Sequence, residues 1–211
     1  MLQRIACSVG VAAVLALAAL RPSSAQSPAP TAPSSGVAEP AAASKVRGAP
    51  AQTIAAPSEV FGADINLAAR PIVYLKSAGT WDKAFGAIVA ALRTVKAFVD
   101  KEGLMQDGPA MAIFTLTDDV GFHFEAAIPV AALSKNPPAG EIAVGTSPQG
   151  HALKFVHRGS YDALDDAYEA VTNYLDEKGL EAKDMFIEQY VTDPLTANKD
   201  SLVINILVPI K

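Results

Sequence analysis

Cysteine is almost absent from this sequence of 211 residues, since Cys7 is the only one. A disulfide needs two cysteines, so none can form within the chain. Residues 8–211 contain no thiol, which excludes a cysteine nucleophile and a cysteine-ligated metal from that part of the protein. Its stability must therefore come from a packed apolar core.

Histidine and clustered basic residues are also scarce. The three histidines, His123, His151 and His157, have no spacing of the HxxxH kind, so we predict neither a metal nor a cofactor. Lysine and arginine number 17 against 22 acidic residues, which gives a net charge of −5, and they form no cluster. Nucleic-acid binding requires concentrated positive charge, and no helix-turn-helix pattern is present, so no nucleic-acid partner is expected.

The amino-terminal segment has the pattern of a secretory signal. Arg4 comes just before an uncharged run from Ile5 to Leu20, and small residues precede Gln26. The run is shorter than the about 20 residues that span a bilayer, so we expect residues 1–25 to be removed. Membrane attachment would follow only if this segment were retained. A lipid-modified cysteine should follow the apolar run, whereas Cys7 lies at its start. A periplasmic or secreted protein is expected.

Residues 26–65 are rich in alanine, proline and serine and contain few aliphatic side chains. Such a segment buries too little apolar surface to offset the entropy of ordering, so a flexible spacer is predicted. The remaining residues, 66–211, suffice for one domain with a sizeable core.

An internal repeat divides this domain. Gly79–Asp82 aligns with Gly159–Asp162 at an offset of 80, whereas Gly103 and Gly179 align at an offset of 76. Four residues correspond to about one helical turn. We therefore predict that the first helix is one turn longer than the second, and that a later loop of the second repeat is longer in compensation.

Each repeat, about 70–130 and 150–211, has the pattern strand, helix, strand, strand. A β-prone run precedes each turn glycine, and apolar residues at helical spacing follow it. Two runs of alternating polarity come after each helix, namely Ala110–Thr117 with Phe122–Ile128, and Met185–Val191 with Leu202–Val208. The predicted fold is α+β, with duplicated βαββ units and antiparallel sheets whose helices lie on one face.

Three spaced motifs mark this domain: Phe124–Val130, His157–Leu164 and Ile187–Pro194. Their order and spacing resemble the FExxxPV ending, the HxGxYxxL turn and the ExYxxDP strand end of the GyrI-like (gyrase-inhibitor-like) family. This family is also known as the effector-binding domain of AraC-type regulators. The resemblance covers residues 70–211. It implies that the two units pair and leave a pocket between them, that lipophilic and often cationic compounds bind there, and that Glu188 lies in that pocket.

Glu188 is the leading candidate for a ligand contact. Strand alternation places it on the same face as Phe186 and Tyr190, and a carboxylate among rings is costly unless it is paired. A bound organic cation would neutralise it and contact the rings. The alternative is that Glu188 points to solvent or pairs with a basic residue. At the offset of 76 it aligns with Ala112, so one repeat alone carries the acid. The other predicted ligand contacts are Trp81, Tyr161 and Phe114.

Three functions remain open on these residues. The first is a binding module that captures a small organic molecule, lipophilic and cationic in many relatives. The second is a hydrolase in which Glu188, its pKa raised by burial, acts as base or nucleophile. The third is a protein-interaction domain with an unknown partner. His157 near Ser160 suggests a nucleophile pair, but the GxSxG elbow is absent, and Ser160 is better explained as a helix cap.

Overall fold

The computed structural model describes residues 61–134, 138 and 140–211. The predicted signal segment and residues 26–60 of the predicted spacer lie outside the described residues. In chain order the elements are β1 (Ala63–Leu67), β2 (Pro71–Thr80), α1 (Ala84–Lys101), β3 (Ala110–Thr117), β4 (Gly121–Pro129), β5 (Ile142–Thr146), β6 (Gly150–Gly159), α2 (Leu164–Lys178), β7 (Phe186–Tyr190) and β8 (Leu202–Pro209). Within this part of the chain, no helix has the length and apolarity to cross a membrane.

The strands of both repeats form one antiparallel sheet, in the order β1-β6-β8-β7-β3-β4-β2-β5. β3 of the first repeat pairs with β7 of the second, with Ala112 opposite Glu188 and Phe114 opposite Phe186. The predicted α+β fold of two strand-helix units is therefore confirmed. The seam between the repeats is a continuous pair of strands at the centre of the sheet.

The two helices differ in length in the predicted direction. α1 has 18 residues and α2 has 15, which is nearly one turn fewer. Gly179 ends α2 with φ of 62°, a left-handed conformation that glycine adopts without steric cost. Ser160 begins the second helical segment, because its hydroxyl accepts the Asp162 amide at 3.2 Å.

Both helices pack on the same face of the sheet. One large apolar cluster joins buried side chains of α1, such as Ile88 and Leu92, with Val171 and Leu175 of α2 and with alternate strand residues. Each fully buried aliphatic side chain contributes about 1.5–3 kcal/mol to folding. The opposite face carries a smaller cluster, made of Ile72, Met111, Ile113, Ala127, Ile187 and Leu207.

Each repeat begins with an additional strand that the sequence pattern did not predict. The spacer was expected to run to residue 65, but β1 begins at Ala63 and pairs with β6 of the second repeat. β5 pairs in turn with β2 of the first repeat. Both strands are only five residues long, and their order comes from pairing with the other repeat, which no local pattern encodes.

These exchanged strands form a long ribbon. The ribbon consists of β1 paired with β6, followed by β2 paired with β5. Leu67 pairs with Gly150, and Pro71, four residues later in the chain, pairs with Thr146, four residues earlier than Gly150. One register therefore runs through both pairings. β1 and β2 are six strand spacings apart in the sheet order, which in a flat sheet would be a distance of roughly 29 Å. The chain from Leu67 to Pro71 reaches at most about 14 Å. The sheet must therefore curve until the ribbon crosses one of its faces.

Candidate functional site

Glu188 is enclosed on the helix-covered face of the sheet, with 1% of its surface exposed. Three tyrosine hydroxyls donate hydrogen bonds to its carboxylate. Tyr190 reaches Oε2 at 2.5 Å and Tyr168 reaches Oε1 at 2.9 Å. Tyr161 approaches both oxygens, at 3.2 and 3.4 Å. We call these three residues with Glu188 the tyrosine cage.

Three different elements of the second repeat position the tyrosines. Tyr190 lies two residues beyond Glu188 on β7, so strand alternation aims both side chains at the helices. Tyr168 lies on α2 on the buried stripe that includes Leu164, Val171 and Leu175. Tyr161 begins the single 3-10 turn Tyr161–Ala163 that leads into α2.

Burial sets the protonation of the cage. Removal from water raises the pKa of Glu188 to about 7, while the hydrogen bonds from the three tyrosines act in the opposite direction. Burial, followed by the nearby carboxylate, raises the pKa of each tyrosine well above its usual value. The hydroxyls therefore stay protonated and keep donating to Glu188.

Within the described residues, the Glu188 carboxylate is stabilised by hydrogen bonds from uncharged donors and not by a cation. The carboxylate's partners there are the three hydroxyls, and the salt bridges of that part of the chain join other residues. A buried carboxylate without a cation is stable only when it is protonated or strongly hydrogen-bonded. The site can therefore accept either a proton or an external positive charge.

Aromatic rings from both repeats surround the cage. Phe114 and Phe186 stack across the seam with ring centroids 4.3 Å apart and planes at 13°. Tyr168 packs edge-on against Phe186 at 5.1 Å. Phe85, from the first turn of α1, contacts the Tyr161 ring at 4.9 Å. Phe85 and Tyr161 are half-buried, whereas the other rings are buried, so this pair forms the side of the cage nearest to solvent.

A cavity of about 330 Å³ opens at the same seam. Its walls are the end of β3, with Phe114 and Leu116, and the residues that enter β7, with Met185 and Phe186. Glu188 does not line this cavity, but Phe186, which does, also contacts the Tyr168 ring of the cage at 5.1 Å.

The structure brings together most of the residues predicted to contact a ligand. Tyr161 and Tyr190 bond Glu188, and Phe186 and Phe114 form the adjacent stacked pair. Trp81 is not part of this group. Its Nε1 donates to the Asp118 carbonyl at 2.8 Å, and its ring centroid lies 4.7 Å from that of Phe122. Trp81 has these partners because it comes directly after β2, whose end pairs with β4 beside the turn of the β3–β4 hairpin.

The sequence pattern did not single out Tyr168 and Phe85 as site residues. Both were indistinguishable from ordinary core positions, because they lie on the apolar stripes of their helices. A signal for Tyr168 did exist, since a buried tyrosine hydroxyl needs an acceptor and Glu188 needed donors. Which tyrosine met the acid depended on how α2 packs on β7.

His157 contacts Ser160 through the backbone and not through the hydroxyl. His157 Nε2 bonds the backbone carbonyl of Ser160 at 2.9 Å, so it does not activate the Ser160 hydroxyl. No group of three or more potential metal-ligating side chains occurs among the described residues.

An α+β domain of two strand-helix repeats, with an acid enclosed by rings beside the seam, has features expected of a small-molecule-binding domain. The chain belongs to the GyrI-like family, because the model of the GyrI-like small molecule binding domain matches residues 65–211. No curated protein matches the chain in sequence.

Solved structures share this fold at low sequence identity. The crystal structure of the EcmrR C-terminal domain has a TM-score of 0.60 and 16% identity, covering 71% of this chain and 96% of that one. In the EcmrR–DNA complex the TM-score is 0.62 at 16% identity, with 71% of this chain and 57% of EcmrR covered. SAV2435 bound to tetraphenylphosphonium has a TM-score of 0.51 and 15% identity, with coverage of 72% and 94%.

Proposed function

We propose that this domain captures a lipophilic organic cation outside the cytoplasm, with Glu188 as the counter-charge and the surrounding rings as the walls. The observation that carries the proposal is the enclosed carboxylate whose partners, within the described residues, are three neutral hydroxyls. A ligand with a delocalised positive charge supplies what this site lacks.

A cation with an apolar surface fits the cage better than a small hydrated ion does. Expelling water from a compact ion is costly, whereas a large organic cation gives up little hydration. Aromatic faces attract such a charge by about 0.5–2 kcal/mol per contact. Tyr161, Tyr168 and Phe186 present rings beside the carboxylate, so charge neutralisation and ring contacts occur together.

The ligand enters, in this proposal, between Phe85 and Tyr161. These two side chains are the half-buried part of the aromatic wall, and Tyr161 has the longest hydrogen bonds to Glu188. Tyr161 belongs to a single 3-10 turn, which moves at lower cost than a full helix. Because Phe85 comes from the first repeat and Tyr161 from the second, the proposed entrance lies where the two units meet.

Capture outside the cytoplasm rests on the signal-like residues 1–25 and on the spacer composition that follows. Cell fractionation of the full-length chain tests this part separately. The proposed location requires the mature protein in the periplasm or the medium, with Gln26 as its new amino terminus. Recovery of the intact chain in the cytoplasm would contradict it.

Tetraphenylphosphonium is a suitable first probe, since a protein with the same fold has been determined with it bound. Calorimetric titration of the protein should show saturable binding that weakens at least tenfold in Glu188→Gln. The matched control is Glu125→Gln, because Glu125 is a half-buried strand acid that already pairs with Lys76 at 3.7 Å. Equal affinity in wild type and Glu188→Gln would rule out the role of the carboxylate.

A second candidate function is hydrolysis of a reactive small molecule. The pKa of Glu188, about 7, lies in the range of an effective general base, and this observation favours the alternative. An epoxide or activated ester should then be turned over at a rate that falls in Glu188→Gln. Binding of such compounds without turnover leaves the capture function alone.

A further inference from the structure

A second cavity lies on the face of the sheet opposite the helices. It has a volume of about 300 Å³ and lies beneath the ribbon that joins the repeats. Its floor is the apolar surface of the central strands, with Met111, Ile187 and Leu207, and Leu67 and Pro148 of the ribbon region form the other side.

The sheet itself separates this cavity from the tyrosine cage. Ile187 and Glu188 are neighbours on β7, and successive strand residues point to opposite faces. Ile187 belongs to the cluster on the ribbon side, whereas Phe186 and Tyr190 belong to the cluster beneath the helices. A ligand in this cavity would therefore have no contact with the Glu188 carboxylate.

Two cationic side chains line the cavity. Lys154 on β6 is half-buried and has no acidic partner among the described residues. Arg70 lies between β1 and β2. Its Nη1 donates to the Asp107 carbonyl at 2.7 Å and lies 3.6 Å from the Asp107 carboxylate, which leaves its other N–H groups as donors. Among the described residues that line this cavity, the charged side chains are Lys154 and Arg70, and no carboxylate is among them, although the protein is acidic.

An amide is also held in place at this site. The Nδ2 of Asn205 donates to the Oε1 of Gln189 at 2.8 Å, which fixes the Gln189 side chain on the ribbon-side face. Gln189 lines the cavity, and its amide nitrogen makes no hydrogen bond within the described residues. It can therefore donate to an acceptor bound beside it.

We infer that this cavity binds a small amphipathic carboxylate. The carboxylate pairs with Lys154 and the apolar tail lies on Met111, Ile187 and Leu207, with Arg70 and Gln189 as further donors. The cavity volume corresponds to about ten water volumes, so it suits a ligand of about ten non-hydrogen atoms. Octanoate has this size and is the probe of choice.

The test is titration of the full chain with octanoate, followed by NMR or calorimetry. Saturable binding with one octanoate per chain is expected, weakened at least fivefold in Lys154→Gln. Lys76→Gln is the matched control, since Lys76 is an exposed strand lysine outside the cavity. Glu188→Gln and added tetraphenylphosphonium should leave octanoate affinity unchanged, so this inference can fail without affecting the proposed capture of a cation.

Three results would overturn the inference. The first is no saturable binding by a chain whose circular dichroism shows it to be folded. The second is equal affinity for octan-1-ol, or equal affinity in Lys154→Gln, because either would remove the role of the negative charge. The third is a chain that dimerises through this face and excludes octanoate, which would make the cavity part of an interface between copies.

Discussion

Ala112 and Glu188 are equivalent residues of the two repeats, and they face each other across the β3–β7 pair. Directly opposite residues of an antiparallel pair point to the same face, so the Ala112 methyl group lies beside the acid. Ala112 is fully buried. The small side chain of one repeat thus leaves space for the Glu188 carboxylate of the other, and the near-symmetry of the fold is broken at its centre.

Enlarging Ala112 should damage the cage. We expect Ala112→Val to cost about 1–3 kcal/mol of unfolding free energy through overpacking, and to abolish tetraphenylphosphonium binding. Ala127→Val is the control, because Ala127 is equally buried but lies on the ribbon-side face. Denaturant unfolding and calorimetry together separate the two effects. Unchanged ligand affinity in Ala112→Val would show that the cage is not where the cation binds.

Stability should fall as the pH rises through the pKa of Glu188. The folded pKa is about 7 and the ordinary value is 4.5, so between these values the folded state holds a proton that the unfolded state has lost. The protein therefore loses roughly 2–3 kcal/mol between pH 5 and pH 8 from this group. Denaturant unfolding of wild type and Glu188→Gln across this range isolates the effect. If the unfolding free energy of both proteins changed with pH in the same way, the raised pKa of Glu188 would be contradicted.

Ligand affinity should change with pH in the opposite direction. A cation binds the ionised carboxylate. As the pH rises towards 7, the apparent Kd of tetraphenylphosphonium should therefore decrease by up to about tenfold per pH unit, and above pH 7 it should level off. Binding near neutral pH then releases a proton. Calorimetry in buffers of different ionisation enthalpy measures that release directly, and its absence would mean that Glu188 is already ionised in the free protein.

Removing one donor tests the hydrogen bonds of the cage. Tyr168→Phe deletes the 2.9 Å bond to Oε1, and we expect a loss of about 1–3 kcal/mol at pH 8, where the carboxylate is ionised. The loss should be smaller at pH 5. Tyr174→Phe is the control on the same helix, since its hydroxyl makes only a 3.4 Å contact with the Gly62 carbonyl. Equal losses in the two variants would indicate general packing effects.

Much of the fold could be predicted from local patterns. Helical spacing and the turn glycines located α1 and α2, and the change of offset from 80 to 76 anticipated their difference in length. Alternation along β7 placed Glu188 with Phe186 and Tyr190. Each of these features depends on residues close together in the chain, where the helical or strand periodicity determines the direction of each side chain.

Other parts of the fold, and two residues of the site, could not be predicted in this way. β1 and β5 are ordered by strands of the other repeat, and Tyr168 and Phe85 carry the same helical pattern as any core residue. Trp81 and Tyr161 occupy matching positions in the sequence, yet Trp81 bonds Asp118 and Tyr161 bonds Glu188. Equivalent positions acquired different partners because the two repeats differ in what surrounds them.

The sequence by itself determined the duplication, the strand-helix order and the side of β7 on which the acid lies. Only the tertiary structure decided that Glu188 would be closed in by three hydroxyls, and that the exchanged strands would form a ribbon over the opposite face. The physical reason is that both depend on contacts between segments far apart in the chain, such as Phe85 with Tyr161 and Leu67 with Gly150. Burial then changes the chemistry, since the same carboxylate in water would be an ordinary acid.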